Sequence, residues 1–220
     1  MAQKSKQPES SSADSHSVSL HHSKRNWNHQ IVFLGQPGTG KSTAALERTL
    51  QLMRTGPSYG LAHDPSWRLP DHPMLMRHET FGSASMGLAK FPGFLHALSV
   101  PKADDVLAWA LECAKASNGI PVTLLIDEGI GAEGLSPHRI SDLFRKFVAA
   151  RRHYNVGLVV TVQSPQLVHY QILGLSTELV LFRLIDERGF KRLESVGVPR
   201  DTIEKVKKLP NYKSISVKTG

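Results

Sequence analysis

Short apolar runs alternate with longer amphipathic segments along most of this chain. Gln30-Ile31-Val32-Phe33-Leu34, Val122-Thr123-Leu124-Leu125-Ile126, Val156-Gly157-Leu158-Val159-Val160-Thr161-Val162 and Leu179-Val180-Leu181-Phe182-Arg183-Leu184 contain few polar positions. Runs of this length, rich in β-branched residues, predict strands buried on both faces, as in a parallel sheet. Helices are predicted between them, over Thr43–Leu50, Ala103–Ala116, Ser136 to about His153, and Arg200–Leu209. Asp104 and Asp105 suit the positive end of the second, and Asn118-Gly119 stops it. Ser136-Pro137 opens the third, with serine as cap and proline in the first turn. Tyr212–Val217 alternates and predicts an edge strand. Residues 55–101 are the least legible, broken by prolines at 57, 65, 70, 73, 92 and 101. Within them, Met74–His78 is a candidate short strand and Phe94–Val100 a second apolar patch. Alternating strands and helices predict an α/β three-layer sandwich with a mainly parallel central sheet.

The first strand runs into Gly35-Gln36-Pro37-Gly38-Thr39-Gly40-Lys41-Ser42-Thr43, which fits the phosphate-binding pattern G-x-x-x-x-G-K-[ST]. Gly35, Gly38 and Gly40 let the backbone fold round an anion, and the following helix start aims unpaired N–H groups at it. Thr39 and Thr43 belong to the same cradle. Lys41 would reach the β- and γ-phosphates, and the Ser42 hydroxyl would ligate Mg²⁺. This loop predicts binding of a nucleoside triphosphate, with ATP and Mg²⁺ as the cofactors. An ordinary glycine-rich β–α turn is the plain alternative.

Composition narrows the setting. In 220 residues there are 27 Lys and Arg against 19 acids, a net charge of +8, which suits a polyanionic partner such as nucleic acid. Cys113 is the sole cysteine, so no intrachain disulfide forms; its neighbours Trp109, Ala110, Leu111 and Ala114 predict a buried structural thiol. No apolar run approaches the ~18 residues of a membrane span, and the start lacks the apolar stretch of a signal peptide. Residues 1–24, with eight serines and scattered lysines, predict a flexible basic arm; 25–220 form the nucleotide-binding domain.

Two more features fall at strand ends, where such sheets collect ligands. Val122–Ile126 ends in Asp127-Glu128. Asp127 would help Ser42 hold the metal, and Glu128 would orient and activate the attacking water. Gln163 ends the next strand, placed to read the γ-phosphate or hold that water.

In order, the phosphate loop, Leu125-Ile126-Asp127-Glu128, the pair Arg151–Gly157 and Thr161-Val162-Gln163-Ser164-Pro165, and Phe182-Arg183-Leu184-Ile185-Asp186 resemble the FtsK/HerA superfamily of DNA-pumping ATPases. The likeness runs from Gln30 to the end of the chain except for 55–101, and the small size and Leu209-Pro210-Asn211-Tyr212 look most like genome-packaging ATPases of membrane-containing double-jelly-roll viruses. The resemblance implies a P-loop NTPase of RecA/FtsK-HerA type that hydrolyses ATP and moves double-stranded DNA. It further implies a homo-oligomeric ring, usually a hexamer, working in host cytoplasm or at a virion vertex beside capsid or membrane-vertex proteins. In such rings an arginine from one subunit completes the neighbour's site; Arg152, Arg183 and Arg188 are the candidates. The alternatives are another pump of this superfamily, serving conjugation or segregation, and a small-molecule P-loop kinase. A kinase would turn over without DNA.

Overall fold

The structure, a computed structural model, describes residues 28–128 and 141–219. The predicted basic arm and the Ser136-Pro137 helix start lie outside the described residues. The described strands form one sheet in the order β3-β4-β2-β5-β6-β1-β7-β8, parallel throughout except at β8. They are β1 (Gln30–Leu34), β2 (Tyr59–His63), β3 (Leu75–His78), β4 (Leu95–Leu98), β5 (Val122–Ile126), β6 (Val156–Val162), β7 (Glu178–Leu181) and β8 (Ile215–Lys218).

The three apolar strands β1, β5 and β6 sit side by side, buried at every position. Their alternating side chains enter two separate cores. Ile31, Phe33, Leu125 and Val159 pack under α1 (Lys41–Arg54) through Ala45, Leu46 and Leu50. Val32, Leu34, Leu124 and Val160 face the other way, against α3 (Ala103–Ala116) and Phe144 and Phe147 of α4 (Asp142–Arg151). That division makes the predicted three-layer α/β sandwich.

Half of the legibility gap resolves into regular structure: residues 55–101 supply β2, β3, β4 and α2 (Phe81–Lys90), three parallel strands at one side of the sheet. Several boundaries differ from expectation. The first helix extends to Lys41 and Arg54 on either side of Thr43–Leu50. The described start of α4 is capped by Ser141, which accepts from Phe144 N–H, and the helix ends at Arg151 instead of His153. Strand β7 ends at Leu181 instead of Leu184, although Phe182 N–H still donates to Leu34 O at 2.7 Å and Arg183 O still accepts from Gln36 N–H at 3.2 Å. Two further helices, α5 (Tyr170–Gly174) and α6 (Glu187–Ser195), precede α7 (Arg200–Lys207). The edge strand starts at Ile215, since Asn211 to Lys213 form a turn. Cys113 is half-buried, and burial pushes its thiol up to about 11, so it stays an inert thiol.

The amino end of the sheet is pinned by Arg151, which is wholly buried. Its guanidinium donates to the backbone oxygens of Asn28, His29 and Val156 at 3.3 Å each and to Gln30 Oε1 at 3.0 Å. One side chain thereby ties the start of β1 to the start of β6. Gly157 follows in β6 because a Cβ there would run into the His29 ring.

Candidate nucleotide site

Strand β6 lies between β1 and β5, so the phosphate loop, Gln163 and the Asp127-Glu128 pair emerge together at the carboxyl edge. The loop is anchored on both sides: Gly35 N–H donates to Val162 O and Gln36 N–H to Arg183 O, each at 3.2 Å. Gly35 admits no side chain, since a Cβ there would lie 2.5 Å from Phe182 Cβ and 3.0 Å from Thr39 Oγ1. Gly38 and Gly40 take positive φ values of 74° and 92°, the left-handed turn that brings successive N–H groups to one side.

The start of α1 fits an anion. Gly40 occupies the cap with no side chain to serve the first N–H groups, and the first turn holds no acid. The Lys41 ammonium donates to Gln36 O at 3.1 Å, spanning the loop. Burial lowers its pKa, and Asp127 and Glu128 pull it back up. Thr39 braces the loop with a hydroxyl bond to Gln36 O at 2.7 Å. Thr43 is exposed in the first turn of α1.

Asp127 is buried and hydrogen-bonded to Ser42 and Thr161. Burial holds its carboxyl above the ordinary value, and the two hydroxyl bonds oppose that shift. A serine hydroxyl beside a buried carboxylate at a phosphate cradle is the oxygen donor set that Mg²⁺ takes, with phosphates and water completing the shell. Among the described residues no cluster of three His, Cys, Asp or Glu side chains offers a metal site made of protein alone.

Glu128 is held from three directions. Its own N–H donates to Thr161 Oγ1 at 2.8 Å, while Thr161 donates to Asp127 Oδ1 at 2.7 Å. Gln163 Nε2 donates to Glu128 Oε1 at 3.2 Å. Arg68, from the β2–β3 connection, pairs with Oε2. Glu128 has φ 48°, a left-handed backbone costly for a residue with a Cβ, and these ties over-determine it. Asp64, buried at the end of β2, shapes the Arg68 turn by accepting from Arg68 N–H at 2.7 Å and Leu69 N–H at 3.1 Å.

Of the sequence candidates, the loop residues, Asp127, Glu128 and Gln163 meet in this crevice. The arginines separate. Arg183 adjoins the loop through its backbone, and its buried Nε finds no hydrogen-bond partner among the described residues. Arg188 is exposed in the first turn of α6, where Asp186 caps its N–H at 3.1 Å. Arg152 is exposed at the end of α4, before the start of β6. It is roughly 20 Å along that strand from Gln163 and outside this chain's own crevice. Sequence reasoning missed Thr161 as the bridge between Asp127 and Glu128, and it missed Arg68, which no motif marks.

These features define a phosphate-binding loop set on the three-layer α/β sandwich of the P-loop fold. The chain is similar in structure to the genome packaging NTPase B204 from Sulfolobus turreted icosahedral virus 2 in complex with ATP-gammaS, with TM-score 0.72 and 13% identity over 89% of this chain and 94% of that one. It is also similar to B204, the DNA-packaging ATPase of Sulfolobus turreted icosahedral virus, with TM-score 0.60 and 17% identity over 86% and 91% of the two chains. VirB4 of Thermoanaerobacter pseudethanolicus superposes with TM-score 0.58 at 12% identity, over 88% and 90%. At these identities the likeness shows the shared fold. No protein-family model and no curated protein sequence matches the chain.

Proposed function

We propose that this chain is a Mg²⁺-dependent ATPase that moves double-stranded DNA as part of a homo-oligomeric ring, packaging a viral genome into a capsid. The observation that carries the hydrolytic part is Glu128, a carboxylate oriented by Gln163 and Arg68 at the strand end beside Asp127 and Lys41. A carboxylate has about four lone-pair sites, so two partners leave room for a water. Glu128 accepts the proton of that water as it attacks the γ-phosphorus, and Gln163 keeps the carboxylate aimed. Lys41 and the N–H groups of the loop bind the phosphates and take up charge on the departing diphosphate. Ser42 and Asp127 would hold Mg²⁺, which supplies charge neutralisation at the phosphate oxygens when bound.

The DNA and ring parts draw on the net charge of +8, on the sequence resemblance and on the packaging enzymes that share the fold. Among the described residues no helix is long and apolar enough to cross a membrane. Host cytoplasm or a virion vertex, with capsid or membrane-vertex proteins as neighbours, fits this reading. The test is ATP turnover with and without duplex DNA over a range of protein concentrations. Turnover per subunit is expected to rise with both. A rate indifferent to DNA and to concentration, with phosphate passed to a small acceptor, would replace the pump by a kinase.

A further inference from the structure

The last segment of the chain brings an aromatic ring to the phosphate loop. Tyr212 N–H donates to Thr39 O at 3.1 Å, and the ring lies against Gly40 so closely that a Cβ there would come within 2.8 Å of Tyr212 Cδ1. Despite this contact the residue is 75% exposed. Its backbone has φ 64°, a left-handed conformation that a residue with a bulky side chain rarely adopts. The sheet does not call for this arrangement, since β8 begins pairing only at Ile215, opposite Leu181. The core does not gain much from it either. A strained tyrosine, tied to the loop by its own N–H and left with open ring surface, is positioned for something that arrives from outside.

We propose that Tyr212 is the stacking platform for the base of the bound nucleotide, so that the site takes purine nucleoside triphosphates as a class. The inference rests on the reading of residues 35–43 as a phosphate cradle. A triphosphate anchored at the start of α1 projects its sugar and base out of the loop, and the ring stands beside that start, against Gly40. Every base has a π-face, and a ring that meets this face reads overlap and not the edge pattern of donors and acceptors. Adenine and guanine are therefore accepted at near parity, and the smaller pyrimidines less well. The tie between Tyr212 and Thr39 also gives the bound base a direct contact with the loop that holds the phosphates.

Equilibrium binding of ATP, GTP, CTP and inorganic tripolyphosphate to the full chain tests this, with wild type, Tyr212→Ala and Tyr212→Phe. Tyr212→Ala is expected to weaken ATP and GTP about tenfold, CTP less, and tripolyphosphate not at all. Tyr212→Phe is expected to bind all four like wild type. Unchanged ATP affinity in Tyr212→Ala overturns the platform. So does an equal loss for ATP and tripolyphosphate, which would make the ring a brace of the loop. A wild-type protein that binds neither ATP nor tripolyphosphate overturns the phosphate cradle itself, and the platform with it.

Discussion

Arg68 and Glu128, 60 positions apart, form an ion pair at the rim of the crevice. The arginine side chain is 57% exposed and the glutamate's 32%, so the pair contributes no more than about 1 kcal/mol to stability. Its effect lies in aim. With Gln163 on the other oxygen, Arg68 fixes the plane of the carboxylate that, in the proposed hydrolysis, faces the attacking water.

Arg68→Ala is therefore expected to lower kcat for ATP about tenfold with little change in KM or melting temperature, since among the described residues the Arg68 side chain pairs with Glu128 and not with the phosphate loop. Steady-state kinetics and thermal melts check this. A change confined to KM would place Arg68 on the nucleotide.

Glu128→Gln keeps the shape of the side chain and removes the base. Nucleotide binding should persist while hydrolysis falls by ~100-fold or more. Turnover equal to wild type would give Glu128 a purely structural part.

Lys41→Ala removes the cation that spans the loop. The expected outcome is loss of tight ATP binding, seen as loss of the upward shift in melting temperature that a ligand of the folded state produces. An undiminished shift would mean that the loop does not hold the phosphates.

How much of this was legible followed from what buries each element. Strands β1, β5 and β6 lie at the centre, covered on both faces, and their unbroken apolar runs say so. Strand β2, Tyr-Gly-Leu-Ala-His, is buried at all but its first position yet reads as a loop. Gly60 is small because Met53 fills its space, and His63 is acceptable inside because Nε2 meets Val100 O at 2.8 Å. In β4, His96 is satisfied by His78 and by Phe91 O, both at 3.0 Å. Such compensations come from residues outside the strand itself, from five positions away (Phe91 to His96) to 37 (His63 to Val100). The motif residues of the site were legible because backbone chemistry fixes their spacing; Arg68 reaches Glu128 only through the fold.

Mixing experiments separate the arginines. A Lys41→Ala subunit, lacking its own site, combined with Arg152→Ala or Arg188→Ala should restore part of the activity if that exposed arginine acts on a neighbour. An arginine finger is worth on the order of 10³-fold, so rescue is easy to detect. Arg183 lies beside its own loop, and Arg183→Ala is expected not to be rescued. No rescue by any pair, with activity independent of concentration, would remove the ring.

Stability should fall on acidification. Burial, with Arg151 next and then Arg48, lowers His29 from 6.5 to about 4, and burial also lowers His63, His78 and His96. A histidine whose folded pKa is depressed binds protons more readily when unfolded, so the cost opens below pH 6.5 and grows until the folded pKa is reached. His29 alone corresponds to ~2 kcal/mol at pH 5, a drop of roughly 4–8 °C. Asp127 acts in the opposite sense, because its raised pKa makes its charge costly at neutral pH and acid relieves that cost. Melting curves at pH 7.5 and 5.0 decide; equal midpoints would contradict neutral buried imidazoles.

The two rims of the sheet bear on how copies of this chain come together. Strands β3 and β8 have four residues each, and β8 alternates half-buried with exposed positions and ends on Lys218. A short border with a cation on it is a poor template for another backbone. In the proposed ring, neighbouring copies would thus be steered away from zipping their sheets into one continuous ribbon. Contacts in the proposed ring would fall instead to helices and loops, whose side chains can part and re-engage without breaking a hydrogen-bonded ladder.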